Sequence, residues 1–239
     1  MDFIQNILTT TEHREYPYPN QPWRYYQEWN KALFLHWEVP YEILREMVPK
    51  NLNIDTFNGK AYVSIVPFTM ENIRPKFLPA VGFISNFHEI NVRTYVEHQG
   101  KKGVYFLNIE AEKYLSALIS KQLSGLPYEK AEIYRTDSKY TSTNLKKNFS
   151  LDADFSIGQL ITNKTELELW LTERYCLYLT KNNDVYRYDI HHKEWELNEV
   201  KMNQLDVKYR IGNLILNNQN YFAHYSKGIK VIAWNKLKI

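Results

Sequence analysis

The chain has 239 residues and carries 30 Lys and Arg against 27 Asp and Glu, a net charge of +3 that is too mild to mark a nucleic-acid-binding protein. With 44% hydrophobic and 24% charged residues it has a globular composition, and a chain this long buries roughly 70–75% of its unfolded surface. A single cysteine, Cys176, excludes an internal disulfide and a cysteine-rich metal site, and 8 glycines without a Gly-x-Gly-x-x-Gly or P-loop pattern argue against a cradled nucleotide.

In chain order, residues 1–30 hold Pro17, Pro19 and Pro22 among six Tyr and Trp side chains from Tyr16 to Trp29, which reads as an aromatic lead-in packed on the body. Residues 31–239 read as one domain. Residues 32–37 suit a buried strand. Residues 40–48 suit a short helix, with Ile43, Leu44, Met47 and Val48 on one face and Pro40 in its first turn. Residues 52–56 and 61–69 predict a hairpin about Asn58-Gly59, and residues 87–98 and 104–109 a second one. Residues 111–123 predict a helix with an apolar stripe of Leu115, Leu118, Ile119 and Leu123, stopped by Gly125 and Pro127. Strands are expected over 128–135, 139–145 and 149–157, whereas 165–172 fits a strand or a helix. Residues 176–180 and 185–190 predict a hairpin about Asn182-Asn183, and 195–205 and 221–234 further strands. The fold class is therefore α+β, mostly antiparallel β. Closing such a sheet removes its edges and leaves room for a cavity.

Residues 87–96 carry the sharpest chemical signal. As a strand they place Ile90, Val92, Thr94 and Val96 on one face and Glu89, Asn91, Arg93 and Tyr95 on the other. That polar row suits either the wall of a cavity or a wet sheet face. Glu89 and Arg93 stand about 13 Å apart along a strand, so they meet only through a ligand between them. Arg93 suits a carboxylate, and Glu89 suits acid–base work if burial raises its pKa. In the 176–190 hairpin, facing residues sum to 365 about Asn182-Asn183, which projects Glu173 onto His192 and Arg174 onto His191. That pairing suits a tuned acid–base pair or a plain register pair. The 7 His residues form no three-ligand set, so no metal is expected. Cys176, inside an apolar run, reads as a packed thiol, and Lys130 as a solvated strand lysine. The first residues lack a signal-peptide pattern and no apolar run reaches about 18 residues, so a cytoplasmic protein without a membrane span is expected.

In order, His36-Trp37-x-Val39-Pro40, Val66-Pro67-Phe68, Glu89-x-Asn91-Val92-Arg93-Thr94-Tyr95-Val96, Leu126-Pro127-Tyr128, Glu173-Arg174-Tyr175 and His192-x-x-Trp195 resemble the YqjF-like bacterial proteins across nearly the whole chain. That family, known mainly as a domain of unknown function, resembles acetoacetate decarboxylases in fold. The resemblance implies a β-barrel or double-sheet body with an internal cavity and two or three helices. Those decarboxylases carry a Schiff-base lysine directly after a Gly-Phe-Pro turn, beside a second lysine that lowers its pKa. Here Gly125-Leu126-Pro127 is followed by Tyr128 and Glu129, so neither lysine is present, and the amine role does not pass to Lys130. The glutamate facing the cavity in those enzymes corresponds to Glu89.

These readings converge on a cavity protein for a small polar, carboxylated molecule, of lyase type without a Schiff base. Glu89 and Tyr128 would be catalytic. Arg93, Asn91, Glu173, Arg174 and His192 would bind, the last three as a second polar wall. No cofactor and no nucleic acid partner is expected, and a homo-oligomer stays open. The alternatives are a non-catalytic ligand-binding or sensing module and a structural oligomer without a ligand.

Overall fold

The structure, a computed structural model, describes residues 3–112 and 128–239. The helix expected over 111–123 and the Gly125-Leu126-Pro127 turn lie outside these residues, except that Ala111 ends a strand. Helix α1 (Phe3–Thr9) buries Ile7 against Trp23, Tyr26 and Trp234. Strand β1 (Tyr25–Val39) starts inside the lead-in, well before Ala32. Lys31 takes the left-handed backbone (φ 54°), and the pairing of β1 with β3 (Ala61–Pro75) slips between Asn30 and Leu35. This bulge switches the inward-facing set of β1 from Tyr25, Gln27 and Trp29 to Ala32 and Phe34.

Helix α2 (Tyr41–Met47) follows Pro40 as the sequence predicts, with Leu44 in the core. Asn58 (φ 50°) and Gly59 (φ 78°) make the tight turn that Asn-Gly announces, bridged by Phe57 and Lys60. The expected hairpin across it does not form. Strand β2 (Asn53–Ile54) pairs with Glu97 and Val96 of β4 (Phe87–His98) and not with β3. So short a strand sets no ladder of its own, and burial of Leu52 and Ile54 decides where it goes. After the single turn of α3 (Gly82–Ser85), β4 and β5 (Lys101–Ala111) form the expected antiparallel hairpin about Gln99-Gly100.

The stretch 128–135 is two strands. β6 (Tyr128–Lys130) runs parallel to β5, and β7 (Glu132–Arg135) pairs with β8 (Lys139–Asn144). β9 (Phe149–Leu160) continues that layer. The ambiguous 165–172 segment is helix α4 (Glu166–Thr172). A capping box selects it: Thr165 Oγ1 accepts from the Glu168 amide, and the Glu168 carboxylate accepts from the Thr165 amide. β10 (Cys176–Lys181) and β11 (Asp184–His191) pair in the predicted register, Cys176 facing Asp189. β12 (Asn198–Ile211), β13 (Leu214–Leu216), β14 (Tyr221–Ala233) and β15 (Leu237–Lys238) complete the chain.

The sheet is antiparallel except where β5 meets β6 and β10. Its ladders run β11-β10-β5-β4-β3-β1-β14, and β14 pairs back onto β11 at Ala233–Ile190 and Ile232–His191, so the seven strands close a circuit. The close approach of β5 to β10 requires Gly103, because a Cβ there would overlap the Cys176 carbonyl. From β14 a second wing, β12-β9-β8-β7, folds away. The main core lies between circuit and wing, where Leu33, Leu35, Ile65 and Val92 meet Tyr140, Leu151, Phe155 and Val207. Each such aliphatic burial contributes about 1.5–3 kcal/mol. A second apolar cluster, with Phe34, Phe68, Ile190 and Trp195, lines the inside of the circuit. Among the described residues no helix is long and apolar enough to cross a membrane.

Candidate functional site

Both faces of β4 are buried, for different reasons. Ile90, Val92 and Val96 enter the main core. Glu89, Asn91 and Arg93 point into a cavity of about 100 Å³ inside the circuit and are only 4%, 5% and 7% exposed. The rest of the wall is largely aromatic and aliphatic, including Trp29, Phe34, Phe68, Phe106, Tyr188 and Trp195, and Tyr128 closes it from β6. No lysine lines the cavity among the described residues.

Tyr128 Oη donates to Glu89 Oε2 at 2.9 Å. Burial raises the Glu89 carboxyl to about 7, partly countered by the bonds of Tyr128 and Asn91 to its charged form. Burial and the facing carboxylate also push the Tyr128 phenol well up. A carboxyl near neutrality is the protonation state that acid–base chemistry needs.

Arg93 is the opposite case. Burial lowers its guanidinium pKa and the adjacent Tyr95 phenol holds it up. Its Nη2 makes one long bond to the Leu171 carbonyl (3.5 Å), and its plane stands over the Phe34 ring at 5.6 Å. No carboxylate pairs with it among the described residues, and its Nε has no hydrogen-bond partner there. Three further buried atoms around the same cavity are also unpartnered: Asn91 Oδ1, Trp29 Nε1 and the Tyr188 hydroxyl. Buried polar groups are nearly always bonded, so four such atoms on one small cavity mark it out.

The structure thus brings Glu89, Asn91, Arg93 and Tyr128 together and places Glu173, Arg174 and His192 elsewhere. The β10–β11 ladder ends at Cys176–Asp189 because α4 occupies the chain up to Thr172 and Glu173 is its C-cap. The projected Glu173–His192 and Arg174–His191 pairs therefore have no ladder to hold them. Glu173 instead accepts from the Tyr175 hydroxyl (2.6 Å) and the Trp195 amide (2.9 Å). Arg174 pairs with Asp55 (2.5 Å) and donates to the Trp170 carbonyl (2.6 Å), its guanidinium stacked on the Trp170 ring. Both border a separate surface cleft with His13 and Tyr175. His192 is buried behind the wall against Trp29 and Trp195, and burial lowers its pKa to about 3. These three do not form a second polar wall of the cavity.

Trp29 and Tyr188 escaped sequence reasoning. The Lys31 bulge that turns Trp29 inward carries no sequence mark, and Tyr188 sits among alternating tyrosines of β11. Lys130 is exposed, Glu129 pairs with Lys147 at 3.2 Å, and Cys176 is buried with its thiol pushed up to about 12 by burial. Among the described residues, no three His, Cys, Asp or Glu side chains cluster as metal ligands.

Known proteins place this geometry in context. The model of the family DUF2071, described as an uncharacterized conserved protein, matches residues 26–230. The uncharacterized protein YqjF of Bacillus subtilis (strain 168) is 35% identical over 227 residues, 90% of this chain and 93% of that protein. Two solved structures share the fold at low identity. The enduracididine biosynthesis enzyme MppR complexed with pyruvate has a TM-score of 0.61 at 8% identity, covering 94% of this chain and 93% of that one. An acetoacetate decarboxylase-like enzyme from Sphingomonas wittichii RW1 has 0.60 at 10% identity, covering 95% and 97%.

Proposed function

The chain belongs to the DUF2071 family, and from that premise we propose that its cavity binds a small 2-oxo acid, whose carboxylate Arg93 holds and whose carbon beyond the carbonyl Glu89 deprotonates. The observation that carries this reading is the buried guanidinium without a carboxylate partner among the described residues, facing an apolar cavity. Leaving a buried charge unpaired costs several kcal/mol, and a planar carboxylate relieves that with charge-assisted bonds. The aromatic wall suits a short carbon skeleton. A cavity of roughly 150 Å³ admits benzene, so about 100 Å³ fits a smaller molecule. Pyruvate, the ligand of the MppR complex, has that size and charge.

The chemistry follows from the two ends of the polar row. Glu89, raised to about 7, takes a proton from the carbon next to the carbonyl. The C–H electron pair becomes a carbon–carbon double bond and the carbonyl π pair moves onto the oxygen as an enolate. Once Glu89 is protonated, the Tyr128 hydroxyl turns its one hydrogen from that carboxyl to the enolate oxygen. Returning the proton restores the acid; addition of an electrophile at the same carbon would make a new bond. Decarboxylation fits less well, because an arginine clamp stabilises the carboxylate that would have to leave uncharged. Imine formation has no amine on this wall among the described residues.

The test is proton NMR of pyruvate with the protein in D₂O. The expected result is binding together with loss of the methyl signal by deuterium exchange. Binding without exchange would leave a non-catalytic binding module. Absence of binding to pyruvate and to longer 2-oxo and 3-oxo acids would overturn the reading.

A further inference from the structure

Beneath the cavity lies a set of buried polar groups that the chemistry above does not use. Tyr95, two residues beyond Arg93 on the same face of β4, is fully buried, as are His36 on β1 and Ser64 on β3. Ser64 Oγ lies 2.6 Å from the Tyr95 hydroxyl and 2.7 Å from His36 Nδ1. On β14, His224 Nε2 lies 2.9 Å from Glu168 Oε1 of α4. The His36 and His224 rings stand 5.5 Å apart, and each has one buried nitrogen without a partner, Nε2 on His36 and Nδ1 on His224.

The donor and acceptor capacity of each group fixes the direction of every bond. At one end, Glu168 is a carboxylate: burial pushes its pKa up, but the bonds from Thr165 and His224 outweigh this and hold it below its usual value. It only accepts, so His224 Nε2 carries the hydrogen, and the neutral ring leaves Nδ1 as an acceptor. At the other end, the Tyr95 hydroxyl bonds to Arg93 and holds up its charge. Arg93 only donates, so the Tyr95 hydrogen turns to Ser64. The Ser64 hydrogen then turns to His36 Nδ1, and His36 carries its own on Nε2. Burial lowers both imidazole pKa values, in keeping with neutral rings. The two unpartnered nitrogens are thus a donor and an acceptor on rings 5.5 Å apart. One bridging water between them makes the set continuous.

We propose that Tyr95, Ser64, His36, His224 and Glu168 form one hydrogen-bond chain of fixed polarity that positions the Arg93 guanidinium in the cavity wall. These are positioning residues, and the inference rests on Arg93 being the anion-holding group. The chain joins an unpaired buried cation to a carboxylate on α4 through neutral groups. It thereby orients Arg93 without neutralising it, which leaves its charge free for a ligand.

Nitrogen-15 NMR of histidine-labelled protein at pH 7 reads the tautomers without any ligand. The chain requires His36 and His224 both neutral, with hydrogen on Nε2. Hydrogen on His36 Nδ1, or exchange between tautomers, overturns it. Tyr95→Phe removes the hydroxyl while the ring keeps its tilted contact with Trp170 at 4.6 Å. It is expected to shift the His36 Nδ1 and Arg93 Nε–H resonances and to weaken pyruvate binding about fivefold to tenfold. Ser64→Thr keeps the hydroxyl and is expected to leave both resonances near their wild-type positions. If Tyr95→Phe lowers Tm while both resonances stay in place, these groups serve packing alone and the inference falls. If the wild type binds no pyruvate, the anion reading of Arg93 fails, and the tautomers and the Arg93 resonance still decide the chain.

Discussion

Among the described residues two glutamates are buried, and they differ in one respect that matters. Glu110, on β5 between the circuit and the wing, is fully buried and satisfied by its neighbours: Asn144 Nδ2 donates to one oxygen at 2.6 Å and the Tyr209 hydroxyl to the other at 2.7 Å. Glu89 accepts from Tyr128 at 2.9 Å and its charge is also favoured by Asn91, but it has an open cavity beside it edged by unpartnered polar atoms. Burial raises both carboxyls, so a shifted pKa does not distinguish them. Free space next to unmet hydrogen-bonding capacity does. Glu110 is a polar clasp between layers, whereas Glu89 faces a place where another molecule fits.

Substitutions should separate the two. The largest effect is expected from Glu89→Gln, which should slow deuterium exchange of pyruvate by at least about 100-fold while leaving affinity within a few-fold. In the wild type, exchange should rise with pH through about 7 and then level off, because the deprotonated carboxylate is the base. Stability runs the other way. A carboxyl at about 7 when folded and near its ordinary 4.5 when unfolded binds more protons in the folded state. Wild-type stability relative to Glu89→Gln should therefore be greatest below pH 4.5 and fall across the window up to 7, by on the order of 3 kcal/mol, in urea titrations at each pH.

Next comes Arg93→Met, expected to weaken pyruvate binding about 100-fold by calorimetry. Its Tm should be unchanged or higher, since it removes an unpaired buried charge and keeps most of the volume. Glu110→Leu should lose about 2 kcal/mol of stability, because the Asn144 and Tyr209 donors lose their acceptor, with pyruvate binding unchanged. An Glu110 variant that impaired binding as much as Arg93→Met would erase the distinction between the two sites. The smallest effect is Tyr128→Phe: about tenfold slower exchange, and a Glu89 carboxyl that titrates higher once the bond favouring its charged form is gone.

The polar row of β4 could be read from the chain because alternation along a strand is local and residues 87–98 form one unbroken strand. The Asn182-Asn183 register was equally legible, because the turn sets it. Extending that register past Cys176 failed at Glu173. The Thr165-x-x-Glu168 capping box that makes the preceding segment a helix is present in the sequence, but the alternation of Leu167, Leu169 and Leu171 beside it leaves the segment open between strand and helix. Asn58-Gly59 was read correctly as a turn but not for its partner, since β2 finds β4 through burial of Leu52 and Ile54. The part of the site from distant strands could not be read at all. Trp29 reaches the cavity only because the chain bulges at Lys31, and the meeting of His36, Ser64 and Tyr95 depends on the order of β1, β3 and β4 in the sheet.

The central claim is that Arg93 is a buried cation kept unpaired for a ligand carboxylate. A crystal structure of the protein grown with pyruvate tests it most directly. The account predicts both carboxylate oxygens within hydrogen-bond distance of the Arg93 guanidinium, and the methyl carbon turned toward Glu89. A guanidinium paired instead with a carboxylate of the protein itself, beside a cavity without pyruvate, would contradict it.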